Sequence, residues 1–291
     1  MPGGIDHLVI AVHGLDRARA VYESLGFTLT PKASHPFGTE NSLVQLDGCF
    51  LELLTMADPH AIPVPGPGEF SFPRFNHRFL ERHQGMSMLA LESADAEADA
   101  QDFAGAGAQS YLPFEFGRNA QLPDGTSARV GFRLAFATDP FIPEAGFFAC
   151  QNLTPELFWK PDYQRHANTA RTVTEVVMVA EAPTDHHAYL EGFTGQRDLH
   201  ATSLGITVET PRGRIVVLTP RAASAMWGEA VELSGFRGPR FAAATIGVDD
   251  LSAVRACLEK AGTACSERAG RLVVPAAEAM DLALAFEEVR R

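Results

Sequence analysis

The chain has 291 residues, of which 46% are hydrophobic and 21% charged, and a formal net charge of −12. This length accommodates two ordinary domains, and the composition is typical of a globular protein. The negative charge argues against a nucleic-acid-binding surface, and no apolar run approaches the roughly 20 residues of a membrane span. The start, MPGGIDHLV, lacks the basic region of a signal peptide, and the four cysteines show no CxxC spacing. We therefore expect a cytoplasmic protein with reduced thiols.

The first 55 residues predict a strand, a helix and three further strands. Residues 5–12 form a short apolar run typical of a strand, and residues 15–26 have the apolar spacing of a helix that ends at a glycine. Three strand-like segments follow, at 27–30, 42–46 and 50–54. His7 lies in the first strand and Glu52 in the last, and both have apolar neighbours on either side. Because such polar side chains are costly to bury alone, each needs a partner.

The same order of elements recurs three more times along the chain. The copies open with strands at 86–93, 173–179 and 241–248, and these are followed by helices at 94–107, 185–193 and 251–261. Further strands are predicted at 128–136, 146–151 and 282–286, a hairpin at 205–220, and a turn at 119–125 (NAQLPDG). Segment 154–172 separates the second copy from the third and contains three aromatic residues, which is typical of a packed connector. We predict two domains, 1–156 and 157–291.

The segments IDHLVIAV, LGF and GTENSLVQLDGCFLELL resemble the βαβββ module of the vicinal oxygen chelate superfamily, specifically its glyoxalase-like branch. The resemblance extends over almost the whole chain as four modules and is strong in the first and in the fourth, VDDLSAVRACLEKAG. It implies an α+β fold in which the modules pair and their sheets form two open barrel-like cups. Such a cup often binds a divalent metal through the first and last strands of each module. Related enzymes isomerise glutathione hemithioacetals, cleave catechols, epimerise acyl-CoA esters or inactivate antibiotics, so the fold predicts the place of the site better than the reaction.

On this resemblance, His7 and Glu52 occupy the metal-ligand positions of the first module. The second module offers Met88 and Cys150 there, and the thioether of Met88 suits only soft metals. The third ligand remains open among four residues, Cys150, Gln151, Asn152 and His35. In the carboxy-terminal modules the same positions hold Glu175, Val217, Ala243 and Ala285. Because these offer too few donors for a metal site, we interpret the carboxy-terminal domain as a degenerate, structural half.

Two functions fit these residues. In the first, His7, Glu52 and Cys150 hold a divalent cation (Zn, Ni, Mn or Fe) in a lyase or isomerase of small carbonyl or hydroxy-carbonyl substrates, with His7 and Glu52 as the catalytic residues. In the second, the cup binds a hydrophobic small molecule without a metal, as in proteins of the bleomycin-resistance type. A structural role is the alternative for each residue: a histidine in an apolar strand is often a core residue, and Glu52 could lie on the outer face of its sheet.

Five residues are predicted to bind the substrate: His35, Asn41, Arg133, Phe148 and Asn152. His35 and Asn41 delimit the segment HPFGTEN, for which an ordinary turn is the alternative. Arg133 could pair with a substrate carboxylate or with a surface acid. The chain lacks the GxGxxG, GxxxxGK[ST], GxSxG and HExxH motifs, so we expect no nucleotide or flavin cofactor. The expected partner is a small molecule, and a monomer and a homodimer both remain open.

Overall fold

The computed structural model describes residues 2–121, 125–236 and 238–290. Its strands form two open mixed sheets, one of nine strands in the amino-terminal part of the chain and one of eight strands in the carboxy-terminal part. Each sheet is made of two βαβββ modules, which confirms the predicted α+β fold with two open cups. The inner face of each sheet lines one cup.

The amino-terminal sheet places the first and last strands of its two modules side by side. Its strands are β1 (Ile5–Ala11), β2 (Ala33–Ser34), β3 (Thr39–Gln45), β4 (Phe50–Met56), β5 (Gly85–Glu92), β6 (Gln109–Ser110), β7 (Phe114–Gln121), β8 (Ser127–Thr138) and β9 (Gly146–Asn152). Their order is β2-β3-β4-β1-β5-β9-β8-β6, and β7 pairs with β8. The central strands β1 and β5 are antiparallel, and each is parallel to the last strand of its own module. Side chains of four neighbouring strands therefore converge in one cup.

The carboxy-terminal sheet repeats this arrangement. Its strands are β10 (Ala170–Val179), β11 (Leu199–Ala201), β12 (Gly205–Glu209), β13 (Arg214–Leu218), β14 (Arg240–Val248), β15 (Ser266–Arg268), β16 (Arg271–Val274) and β17 (Ala283–Glu288). Their order is β11-β12-β13-β10-β14-β17-β16-β15. The central strands β10 and β14 are again antiparallel to each other and parallel to β13 and β17.

Several helices begin or end at capping groups that the sequence provides. They are α1 (Leu15–Ser24), α2 (Phe72–Leu80), α3 (Ala96–Gly105), α4 (Pro155–Phe158), α5 (His187–Thr194), α6 (Pro220–Trp227) and α7 (Leu251–Ala261). The carboxylate of Asp250 accepts a hydrogen bond from the Ser252 amide at the start of α7, and Gly262 ends that helix with φ 68°. None of the helices in the described residues is long and apolar enough to cross a membrane.

Three hydrophobic clusters stabilise the fold. The largest contains the outward-facing residues of both sheets together with the apolar faces of α1, α3, α5 and α7, so the two halves share one core. The inner face of each sheet has a cluster of its own. Strand alternation separates these sets: Leu8 and Ile10 of β1 belong to the shared core, whereas Val9 belongs to the amino-terminal cup. The polar residues of the cups are thus held on a well-packed framework.

The sequence prediction and the structure differ at several places. Residues 27–30 are not a strand; a backbone hydrogen bond of 2.9 Å from the Thr30 amide to the Leu43 carbonyl joins them to β3. Strand β7 was not predicted, and it includes residues 119–121 of the predicted turn, while residues 122–124 of that turn lie outside the described residues. Val217 belongs to the shared core, and its neighbour Val216 is the residue that faces the carboxy-terminal cup. The predicted domain boundary at 156/157 falls within α4, between the two sheets.

Candidate functional site

The amino-terminal cup encloses a cavity with an empty volume of about 420 Å³. Fourteen residues line it: His7, His35, Asn41, Leu43, Phe50, Glu52, Phe72, Phe116, Arg118, Phe132, Leu134, Phe148, Cys150 and Phe158. His7 and Glu52 therefore face the same hollow, and both are buried. His35, Asn41, Phe148 and Cys150, also predicted from the sequence, lie in the same cavity. Its walls are mostly apolar, with a few polar groups, which is typical of a small-molecule site.

Strand register explains how His7 and Glu52 come together. His7 pairs with Phe50 across the parallel β1–β4 ladder, and Glu52 lies two residues further along β4. Because side chains alternate along a strand, Phe50 and Glu52 point to the same face as His7. The pairing of β1 with β5 shifts register between Ile5 and His7, which is a β-bulge at Asp6. The bulge places the Asp6 carboxylate beside the imidazole of His7.

A chain of polar contacts runs from Asp6 to Asn41. The Asp6 Oδ2 atom is 2.5 Å from His7 Nδ1, and His7 Nε2 is 3.9 Å from Glu52 Oε2. The Asn41 Nδ2 atom donates to Glu52 Oε1 at 2.6 Å. Asp6 fixes the orientation of the imidazole, so its Nε2 atom faces the carboxylate of Glu52. Because Asn41 occupies Oε1, the second oxygen of Glu52 is the one left for His7 and for a bound group.

His35 is neutral and holds Asn41 from behind. Burial, and the nearby charge of Arg118, lower the pKa of His35 to about 3. Its Nδ1 atom is 2.8 Å from the Thr39 hydroxyl, and its Nε2 atom is 3.4 Å from Asn41 Nδ2. With Asn41 as the donor to Nε2, Nδ1 carries the proton and donates to Thr39. His35 therefore acts as a neutral element of the wall.

Cys150 brings a thiol to the same place. Burial raises its pKa well above the ordinary value, and the charges of Asp6 and Glu52 and a hydrogen bond to Asp6 act in the same direction. The ligand atoms of Asp6, His7 and Cys150 lie within 4.8 Å of one another. Without a cation the thiol stays protonated, whereas coordination would hold it as the thiolate. The cluster is thus a candidate metal site, and Asp6 is the kind of carboxylate that orients a ligating histidine.

Arg118 adds a buried cation to the cavity. It lies on β7 opposite Val130 of β8, and its side chain is 7% exposed. Burial lowers the pKa of Arg118, and the charge of Glu52 opposes this effect. Its Nε atom has no hydrogen-bond partner in the described residues. An arginine buried in this way is costly unless something pairs with it.

Aromatic rings pack around the His7 imidazole and line the cup. Phe50 stacks on His7 with ring centroids 4.3 Å apart, and Phe148 approaches the imidazole edge-on at 5.2 Å. Phe158, from the connector between the sheets, contacts Phe50 at 5.1 Å. On another side, Phe72 of α2 packs edge-on against Phe148 at 6.2 Å. These rings keep water away from the polar chain, which strengthens electrostatic interactions within it.

Two predicted substrate ligands lie outside the cavity, which corrects both assignments. Arg133 points to the other face of β8, where its guanidinium pairs with Glu115 of β7 at 2.6 Å. Asn152, at the end of β9, accepts a hydrogen bond from the Thr154 amide at 3.0 Å and lines a neighbouring depression. Met88, the poor candidate ligand, is fully buried, and its sulfur is 3.5 Å from the Asn76 amide nitrogen.

Sequence reasoning missed two polar residues of the site, Asp6 and Arg118. Asp6 precedes His7 in an apolar strand, where alternation alone would place it on the opposite face. Arg118 lies on one face with Phe114 and Phe116 in the segment FEFGR, an alternation that would have indicated an inward-facing arginine had β7 been recognised. Both signals were present in the sequence, but each depended on an irregular or unpredicted strand.

The fold is similar to several solved structures. A hypothetical protein from Staphylococcus aureus aligns with a TM-score of 0.66 at 12% identity, covering 98% of this chain and 99% of its own. A mutant of 4-hydroxymandelate synthase from Streptomyces coelicolor aligns with a TM-score of 0.59 at 13% identity, covering 99% and 92%. A xylose isomerase-like TIM barrel/4-hydroxyphenylpyruvate dioxygenase fusion protein aligns with a TM-score of 0.56 at 13% identity, covering 100% of this chain and 50% of its own. No curated protein sequence matches significantly.

The paired βαβββ modules and the cups on their inner faces give this chain the fold of these solved structures. The family described as "Glyoxalase-like domain" matches residues 5–194. The chain belongs to this glyoxalase-like domain family. The matched segment includes the whole amino-terminal cup and continues through α5.

Proposed function

We propose that the amino-terminal cup is the active site of a lyase or isomerase that acts on a small carbonyl or hydroxy-carbonyl compound with the help of a divalent cation. The observation that carries this proposal is the buried chain from Asp6 through His7 to Glu52, open to a cavity at Glu52 Oε2. A purely structural histidine and glutamate would have their polar atoms satisfied by the protein. Here the contact between His7 Nε2 and Glu52 Oε2, at 3.9 Å, is too long for a hydrogen bond.

The donor atoms around His7 are of the kinds that bind a divalent cation. His7 Nε2 lies 3.9 Å from Glu52 Oε2, and a ligand atom of His7 lies within 4.8 Å of the Cys150 sulfur and of a carboxylate oxygen of Asp6. In the proposed site His7, Glu52 and Cys150 are the ligands, and Asp6 orients His7 as carboxylates commonly do at metal sites. A sulfur donor beside an imidazole favours Zn²⁺ over hard cations such as Mg²⁺. When bound, such a cation supplies Lewis-acid polarisation of substrate oxygens.

The residues of the chain supply the remaining chemistry. Glu52 Oε2 faces the cavity and, when it is not bound to the cation, would be the proton acceptor for a carbon next to the substrate carbonyl. Asn41 holds the other oxygen of Glu52 and so fixes the direction in which the carboxylate can take a proton. The aromatic walls exclude water, which protects an enediolate from competing protonation.

Metal analysis of purified protein tests the proposal. Wild type should retain a divalent cation, and the His7→Ala and Glu52→Gln variants should each lose most of it. Glu175→Gln, in the other cup, is the matched control and should keep the wild-type content. Equal metal content in wild type, His7→Ala and Glu52→Gln would overturn the assignment of the site.

A second function, metal-free binding of a small apolar molecule, is favoured by one observation. The second module contributes only Cys150 to the metal-ligand set, and apart from Arg118 the rest of its inner face is mostly apolar. Thermal denaturation with and without additives separates the two functions. A rise in the melting temperature with Zn²⁺, Ni²⁺ or Mn²⁺ that EDTA reverses supports the enzyme. A rise with apolar organic compounds only, unaffected by EDTA, supports the binding protein.

A further inference from the structure

We infer that the ligand of the amino-terminal cavity is a small carboxylate, whose charge pairs with the guanidinium of Arg118. This inference rests on the proposal that the cavity is the substrate site, and it names the chemical class of the substrate. It requires no particular reaction, because it concerns recognition of the bound molecule.

The first support is the unpaired state of Arg118. The residue is buried, with only 7% of its surface exposed. Among the residues that the structure describes, none forms a hydrogen bond or an ion pair with it, and its Nε atom is buried without a partner. Glu52, the carboxylate whose charge acts on Arg118, is engaged by Asn41 and lies beside His7. A planar guanidinium in this state is suited to a bidentate carboxylate.

The second support is a hollow on the other side of Arg118. It has an empty volume of about 390 Å³ and shares Leu43, Arg118 and Phe158 with the cavity. Lys160 lines this outer hollow together with Arg118, so two cations lie in one hollow beside the cavity. In a chain of net charge −12, a local pair of cations beside a cavity attracts anions that the rest of the surface repels.

The third support is the unpaired oxygen of Asn41. The donation from Nδ2 to Glu52 fixes the orientation of this amide, because a carboxylate only accepts hydrogen bonds. Oδ1 is then buried without a partner in the described residues. A ligand that carries a hydroxyl group as well as a carboxylate would satisfy both unpaired atoms. With the surrounding phenylalanine rings, this points to a small hydroxy carboxylate with a flat apolar body.

Calorimetric titration of EDTA-treated protein with 3-hydroxybenzoate tests the inference without metal or turnover. Binding should weaken at least about tenfold in Arg118→Met, the loss expected for a charge-assisted pair, and should partly return in Arg118→Lys. The neutral analogue 3-hydroxybenzamide should bind about tenfold more weakly to wild type and equally to wild type and Arg118→Met. Arg133→Met, which removes an arginine on the outer face of β8, is the matched control and should bind 3-hydroxybenzoate as wild type does.

Stability of the free protein gives a second readout. Because Arg118 is buried without a partner, Arg118→Met without ligand should melt at the wild-type temperature or above it. Equal affinity of wild type and Arg118→Met for 3-hydroxybenzoate, or tighter binding of the amide than the acid, would overturn the inference. Neither result would bear on metal retention by His7 and Glu52, so failure of the inference is distinguishable from failure of the proposed function.

Discussion

The two cups share a scaffold and differ in how their inward-facing charges are paired. In both sheets the two central strands are antiparallel, and each is parallel to the closing strand of its module. At the place of His7 the carboxy-terminal cup has Glu175, which is 3% exposed. Glu175 pairs with Arg214 at 2.7 Å and with Arg271 at 3.1 Å, and it accepts a hydrogen bond from Thr245. Arg271 pairs in turn with Glu287 at 2.9 Å.

In the amino-terminal cup, by contrast, the buried polar groups are not fully paired. Its arginine has no partner in the described residues, one oxygen of Asn41 is unsatisfied, and Glu52 keeps an oxygen directed at the cavity. The carboxy-terminal cup has a hollow of about 1150 Å³, but Arg271 and Glu287 on its wall are already paired. The difference teaches that the volume of a hollow is a poor guide to function here. Unsatisfied buried polar groups are the better guide, because the protein bears their cost without a structural return.

The first prediction contrasts how the two cups are covered. Trp227 of α6 packs on the inner face of the carboxy-terminal sheet and is 2% exposed. Its replacement by alanine leaves a large void, so Trp227→Ala should lower the free energy of unfolding by about 3–5 kcal/mol. Trp159 is only partly buried where it covers Phe50 of the amino-terminal cup. Trp159→Ala should therefore cost about 1–2 kcal/mol. Urea denaturation followed by circular dichroism measures both, and equal losses would contradict the contrast.

The sequence was sufficient to predict the fold on which the two cups are built and the place of His7 and Glu52 in one of them. Strand alternation and module order placed His7 and Glu52 in one hollow, and the capping pattern VDDLSAVRACLEKAG placed α7 and its glycine correctly. These features depend on local periodicity, which a single sequence carries. The pairing of Glu175 with Arg214 and Arg271 could not be read in this way, because the sequence separation of the partners is 39 and 96 residues.

Features set by irregular strands were harder to predict. The bulge at Asp6 changes which face that residue lies on, and a bulge leaves no period in the sequence. Strand β7 carries charged and small residues among its aromatic ones, so the strand was not predicted from the sequence. Arg118 lies on this strand and was therefore not predicted as a residue of the site. Arg133 was assigned to the site as a partner of a substrate carboxylate, whereas pairing of β8 with β7 places it on the outer face beside Glu115. The prediction for Val217 was wrong for a similar reason. A shift of one residue along a strand moves a side chain to the other face, so Val216, and not Val217, faces the carboxy-terminal cup.

The second prediction concerns the carboxylates of the two cups. Glu175→Ala leaves Arg214 and Arg271 without their shared partner, so it should lower the free energy of unfolding by about 2–4 kcal/mol. This loss of stability is smaller than the loss expected for a fully buried ion pair, because both arginine side chains are partly exposed. Glu52→Ala should cost less than half as much, since it removes a charge whose hydrogen-bond partner is Asn41. Urea titration measures both values, and a larger loss for Glu52→Ala would reverse the roles of the cups.

The third prediction uses the pH dependence of stability. The pKa of His35 in the folded protein is about 3, below the ordinary value of 6.5, so the unfolded chain binds a proton that the folded protein does not. Stability from this group is complete above pH 6.5 and is lost as the pH falls toward 3, by about 1.4 kcal/mol per pH unit. His35→Gln should therefore show a shallower fall of the free energy of unfolding between pH 6 and pH 4 than wild type.

The control for this measurement is His200→Gln, since His200 is exposed on β11 at the edge of the other sheet. It should show the same pH slope as wild type. A His35→Gln variant with the wild-type slope would show that His35 is protonated in the folded protein, which would remove its assignment as a neutral support for Asn41.

The smallest expected effect belongs to the pair on the outer face of the amino-terminal sheet. Arg133 and Glu115 are 2.6 Å apart, but their side chains are 33% and 54% exposed. Surface pairs of this kind contribute about 0–1 kcal/mol, so Arg133→Met should change the free energy of unfolding by no more than about 0.5 kcal/mol. Raising the salt concentration should remove even that difference, because exposed charges are screened. Arg133→Met could instead lower the free energy of unfolding by several kcal/mol or abolish binding of 3-hydroxybenzoate. Either result would contradict the distinction between Arg133, which is paired on the outer face, and Arg118, which has no partner in the described residues of the cup.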